Sequence, residues 1–94
     1  MTEAVKACRW LLSGRVQGVG FRWFTVRRAT EHGVVGWVRN LPDGRVEVLA
    51  KGPVTSIMQF EDALALGPHM ARVENVDKAD VSPEVIGDKS FTMR

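Results

Sequence analysis

Ninety-four residues suffice for one domain with a single core and little to spare. The 13 basic and 11 acidic side chains leave a net charge of +2, which by itself says little about partners, and the composition is ordinarily globular. No apolar run approaches a membrane span, Met1 to Leu12 is broken by Glu3, Lys6 and Arg9 unlike a secretory leader, and the lone Cys8 has no partner for an internal disulfide.

These features place the chain in a reducing cytoplasm as one domain over residues 1–94, without repeat, linker or low-complexity segment. Small size and the lack of an apolar surface stripe point to a monomer. The distribution of charge says more than its sum. Residues 1–45 carry Lys6 and seven arginines against three acids, a balance of +5, whereas residues 46–94 hold five basic and eight acidic groups, a balance of −3. An anion is therefore drawn to the first half of the chain.

Ala7 to Ser13 alternates as a strand does. Cys8, Trp10 and Leu12 share one side, and Arg9, Leu11 and Ser13 the other, so apolar groups on both sides predict a central strand. Cys8 is expected to be a buried, inert thiol. Next comes Gly14-Arg15-Val16-Gln17-Gly18-Val19-Gly20-Phe21-Arg22, with three glycines in seven positions. A helix is predicted over 21–32, with Phe21, Phe24 or Thr25, and Arg28 or Ala29 at helical spacing and Gly33 as its stop. Trp23 and Phe24 are expected in the core, with an aromatic substrate pocket as the sharper alternative.

A glycine-rich turn between strand and helix lets main-chain N–H groups converge, and the helix N-terminus adds partial positive charge. Arg22 brings a full charge and a planar fork of donors that matches phosphate oxygens. The loop is no Walker A motif, because no Gly-Lys-Ser/Thr follows, and its glycine spacing is wrong for a dinucleotide fingerprint.

Val34 to Leu41 reads as a second strand, Leu41-Pro42-Asp43-Gly44 as a hairpin turn, and Arg45 to Lys51 as a third strand. Val46, Val48 and Ala50 face one way and Arg45, Glu47, Leu49 and Lys51 the other, so one sheet face is covered and one is wetter. Gly52-Pro53 is expected to break this strand. A second helix is predicted over 54–66, with Val54, Ile57, Met58, Phe60 or Glu61, and Leu64 on its inner side and capping-box spacing at Ser56 and Gln59. Met70 to Val81 reads as a fourth strand whose alternation changes phase between Val73 and Val76, the mark of a bulge. Ser82 to Asp88 reads as a polar loop and Ser90 to Met93 as a short last strand.

The order βαββαβ predicts an α+β, ferredoxin-like sandwich: a four-stranded antiparallel sheet, with room for a short fifth strand, and both helices on one face. Catalytic groups of the familiar kinds are scarce. His32 ends a helix, His69 lies in a loop, and with Cys8 they form no metal set. Asn40, just before the hairpin turn, has two readings: local turn chemistry, or an amide that holds a water in place.

Two motifs in this order and spacing resemble the signatures of the acylphosphatase family. The first is Gly14 to Arg22, and the second runs from Gly36-Trp37-Val38-Arg39-Asn40 through Gly44, Val46 and Gly52. The resemblance covers essentially the whole chain. It implies hydrolysis of a small-molecule acyl phosphate to a carboxylate and inorganic phosphate, without a metal, other cofactor or phosphoenzyme. It assigns the phosphate to Arg22 and to the loop of Arg15, Val16, Gln17, Gly18, Val19 and Gly20, and the attacking water to Asn40. Arg22 and Asn40 are the implied catalytic residues.

Two other classes compete. One is an anion-binding module without turnover, such as the acylphosphatase-like domains of larger carbamoyl-transfer proteins. The other is an RNA-binding sheet, disfavoured because the third strand, Arg45 to Lys51, has no aromatic residue to stack a base. Neither nucleic acid nor membrane is therefore an expected partner.

Overall fold

Side chains that alternate in polarity along an extended chain must divide between two environments, and the first strand does so. In a computed structural model, which describes residues 4–94, Val5–Arg15 form strand β1. Cys8, Trp10 and Leu12 on one side are completely buried. Met1 to Glu3, the start of the segment read above as unlike a leader, lie outside the described residues.

The remaining elements follow the expected order: helix α1 (Phe21–His32), strands β2 (Val35–Asn40) and β3 (Val46–Pro53), helix α2 (Val54–Leu66), strand β4 (Arg72–Asp80), a 3-10 turn (Pro83–Val85) and strand β5 (Phe91–Met93). The sheet order is β4-β1-β3-β2-β5. The first four of these strands pair antiparallel, and the short β5 adds to β2 in parallel, so the sheet is five-stranded and mixed. This is the ferredoxin-like α+β fold with one added edge strand. Among the described residues no helix is long and apolar enough to cross a membrane.

The core lies between the helices and the sheet face that carries Trp10, Leu12, Val46, Val48 and Ala50. α1 contributes Phe21, Thr25 and Ala29, spaced four apart, and α2 contributes Ile57, Phe60 and Leu64. The Trp10 and Phe60 rings meet edge to face at 5.6 Å, and Phe60 and Phe91 at 5.7 Å. The buried indole N–H of Trp10 donates to Glu61 Oε1 at 2.8 Å, so Glu61 borders the core as a polar partner. The Cys8 Sγ lies 3.5 Å from Asp80 Oδ1, and burial first, then that carboxylate, push the thiol up to about 11. It stays protonated and unreactive at neutral pH.

Several expectations are corrected. β3 does not end before Gly52: Gly52 pairs with Lys6 and Pro53 with Val5, and proline is tolerated because it is the strand's last residue. α2 starts directly after Pro53, whose φ of −56° suits a helix entry, so Ser56 lies inside the first turn and no side chain caps the end. Met58 faces solvent. Trp23 is not in the core, because the Phe21–Thr25–Ala29 stripe turns it outward. The segment after β4 is less polar than it reads. Ile86 is 1% exposed, and Lys51 Nζ donates to its carbonyl. The bulge falls where the phase change put it: Ser13 pairs with Asn75 and Gly14 with Val73, leaving Glu74 over.

The open sheet face holds a buried carboxylate. Glu47 is 4% exposed and accepts hydrogen bonds from Arg9 Nε at 2.5 Å and Arg39 Nε at 2.6 Å. Burial alone raises its pKa, but the hydrogen bonds from Arg9 and Arg39 outweigh burial and hold it below the ordinary 4.5. A group lowered on folding stabilises fully above its unfolded value, so this contribution is lost as pH falls from 4.5 through the native value. Glu47→Gln is expected to cost about 1.5–3 kcal/mol at neutral pH, the range for charged hydrogen bonds. Urea unfolding checks this: the gap to wild type should close in strong acid, and a gap independent of pH would contradict the assignment.

Candidate active site

The loop between β1 and α1 is shaped by its glycines. Gly18 and Gly20 have φ of 73° and 78°, in the left-handed region that a side chain disfavours. A Cβ at either position would meet nothing within 4 Å, so it is the dihedral and not the space that calls for glycine. Val16, 1% exposed, pins the loop to the core. Gly20 stands at the N-cap of α1, where no side chain caps the helix and the first turn has no acidic residue. The free main-chain N–H groups and the helix dipole therefore remain available to an external anion.

Gln17 fastens this loop to the β2–β3 hairpin. Its Nε2 donates to the carbonyls of Leu41 at 2.8 Å and Arg45 at 2.9 Å. The turn is itself closed by Leu41 N–H to Arg45 O at 2.8 Å and Gly44 N–H to Leu41 O at 3.1 Å. Asn40 is the last residue of β2, immediately before that turn. The Gln17 bonds thus fix the end of β2 against the glycine loop.

Between them lies a cleft of about 210 Å3. Gly18, Gly20, Arg22 and Asn40 line it, with Val16 and Phe21 beneath and Trp23 and Met93 at the side. Of the loop residues singled out in the sequence, Arg15, Gln17 and Val19 do not line it. Arg15 is exposed at the end of β1, Gln17 is spent on the hairpin, and Val19 packs on the core.

Arg9, Arg28, Arg39 and Arg45 each grip a carboxylate. Among the described residues Arg22 has no such partner. Its Nη1 donates only to the Arg94 main-chain carbonyl, at 3.3 Å. Asn40 Oδ1 is buried and has no hydrogen-bond partner in the protein, which is uncommon for a buried amide oxygen. Among the described residues no histidine, cysteine or carboxylate side chain lines the cleft. What the arrangement offers is positive charge, main-chain donors and one amide acceptor, with no strong base.

Sequence reasoning missed Met93 as a wall of the cleft and the carbonyl that braces Arg22. Both come from β5 and the residue after it, more than 70 positions from the loop (the Arg22–Arg94 separation is 72), and no local pattern announces them.

Fold and cleft together define a small α+β protein with an anion-receptive loop. A model of the acylphosphatase family matches residues 8–93. An acylphosphatase of Koribacter versatilis is 51% identical over 84 residues, which cover 89% of this chain and 76% of that one. One of Bacillus velezensis is 50% identical over 83 residues, covering 88% and 91%. The crystal structure of acylphosphatase from Bacillus subtilis superposes with a TM-score of 0.89 at 35% identity, covering 97% of this chain and 99% of that one. The chain belongs to the acylphosphatase family and is an enzyme of that family.

Gln17→Ala should remove both ties to the hairpin and cost about 1–2 kcal/mol in denaturant unfolding, given the net value of such bonds and the carbonyls left unpaired. Turnover should fall further than stability explains, because Asn40 and the loop lose their fixed separation. Unchanged stability and turnover would show that the ties are dispensable.

Proposed function

We propose that the protein hydrolyses the carboxyl–phosphate bond of small acyl phosphates, in the cleft between the glycine loop and Asn40. Arg22 and the loop main chain at Gly18 and Gly20 hold the phosphoryl group, and Asn40 places the attacking water. The observation that carries this reading is the unpartnered, buried Oδ1 of Asn40 in the same cleft as Arg22, Gly18 and Gly20.

An acyl phosphate is a mixed anhydride whose leaving group, a carboxylate, is a weak base and needs little acid assistance. Phosphoryl transfer passes through a loose transition state, so positioning and charge stabilisation supply most of the catalysis. The Arg22 guanidinium and the loop N–H groups face the developing charge on the phosphoryl oxygens. Asn40 Oδ1 accepts a hydrogen bond from the water and turns a lone pair toward phosphorus. The water oxygen bonds to phosphorus as the anhydride P–O bond breaks, and the electron pair leaves with the carboxylate. An amide cannot take the water's proton, and no other base lines the cleft, so a phosphoryl oxygen of the substrate receives it.

Benzoyl phosphate hydrolysis in excess chelator tests the reading. Wild type should turn over without added metal. Arg22→Ala should weaken inhibition by inorganic phosphate and nearly abolish turnover. Asn40→Ala should lower kcat roughly a hundredfold, as for loss of one positioned hydrogen-bonding group, with phosphate inhibition kept. Loss of phosphate binding with turnover spared in Asn40→Ala would reverse the two roles. Folded wild type that binds phosphate and does not turn over would make the cleft an anion-binding module.

A further inference from the structure

The cleft is lined by groups of two kinds. Gly18, Gly20, Arg22 and Asn40 are the polar or main-chain groups, and Trp23 and Met93 are large, exposed and apolar. Trp23 is 61% exposed and Met93 44%, although both are large and hydrophobic. Single exposed apolar residues are ordinary on protein surfaces. Two of them from distant parts of the chain, both lining one small cleft beside Arg22 and Asn40, are less ordinary.

The Arg27 guanidinium, one turn further along α1, lies 5.4 Å from the Trp23 ring centroid, a cation–π distance. Trp23 lies in the first turn of α1 and lines the cleft together with Arg22. Met93 is the last residue of β5, and its unbranched thioether adapts to the shape of what it touches.

An acyl phosphate has the same two-part character: a charged phosphoryl group joined through one oxygen to an acyl group. With the phosphoryl group at Arg22 and the loop, the acyl group has the Trp23–Met93 wall beside it. We infer that Trp23 and Met93 form an acyl-side subsite, and that Trp23 sets a preference for acyl phosphates with a flat or bulky apolar acyl group over those with a small one. This rests on the acyl phosphate reading given above. It makes Trp23 a specificity-determining residue with no part in the bond-breaking step.

The test compares kcat/KM for benzoyl and acetyl phosphate in wild type, Trp23→Ala, Trp23→Phe and Met93→Ala. The benzoyl-to-acetyl ratio should fall about tenfold in Trp23→Ala, the scale on which apolar pockets discriminate. It should recover most of that in Trp23→Phe and fall by a smaller factor in Met93→Ala. An unchanged ratio in Trp23→Ala, with both substrates affected equally or not at all, overturns the inference. A second arm needs no turnover: calorimetric affinities for benzylphosphonate and methylphosphonate in wild type and Trp23→Ala. A benzyl preference lost in Trp23→Ala supports the subsite even if acyl phosphates are not hydrolysed, an outcome that would sink only the reaction assignment. Absence of any benzyl preference in wild type overturns the subsite. The exposure of Trp23 keeps folding out of the comparison, and equal thermal midpoints should confirm it.

Discussion

The candidate site depends on one side chain that does not line it. The Gln17 amide bridges the glycine loop that follows β1 to the carbonyls of Leu41 and Arg45 in the β2–β3 turn. Loops are the most mobile parts of a small fold, and a cleft built between two of them keeps its shape only if something fastens them. Half-buried amide-to-carbonyl bonds do this with fixed geometry, because an unmade bond would leave a polar group poorly satisfied. The left-handed turns at Gly18 and Gly20 then aim the main chain into the cleft, and the same bridge holds Asn40 opposite.

The arginines divide into structural and free ones. On the open sheet face Arg9 and Arg39 are committed to Glu47, and the Arg39 and Arg94 guanidinium groups lie 5.2 and 4.5 Å from the Trp37 ring centroid. This covers a strand face that would otherwise be partly apolar. Arg22 contributes to none of this, and its Nη1 donates to the main-chain oxygen of Arg94. A cation with no carboxylate beside it keeps its full attraction for an incoming anion. Of the arginines in the N-terminal half without a carboxylate side-chain partner among the described residues, Arg22 is the one that lines the cleft.

Much of this was legible in the sequence, for identifiable reasons. The α1 boundaries, 21 and 32, followed from glycines on both sides, and Gly33 does end the helix, with φ of 68°. Alternation in β1 and β3 placed Cys8, Trp10, Leu12, Val46, Val48 and Ala50 correctly, because a period of two has only two outcomes. The bulge at Glu74 showed as a slip between Val73 and Val76. The misses are tertiary. Trp23 was assigned to the core on hydrophobicity, whereas the helix stripe through Phe21, Thr25 and Ala29 leaves it at the cleft. Glu47 was read as part of a wetter face, and two arginines from neighbouring strands bury it. The Ser56–Gln59 spacing suggested a cap that the Pro53 junction makes unnecessary. The unpartnered state of Asn40 Oδ1 has no sequence signal at all; it exists only once the hairpin and loop are side by side.

Convergence of the loop, Arg22 and Asn40 on one anion can be tested by titrating inorganic phosphate into isotope-labelled protein and following it by NMR. Saturable shifts are expected, concentrated in the main-chain amides of residues 16–23 and in the Asn40 side-chain amide, with the Arg22 guanidinium among them. Shifts centred on the Arg9–Glu47–Arg39 face, or spread over the basic surface without saturation, would contradict it.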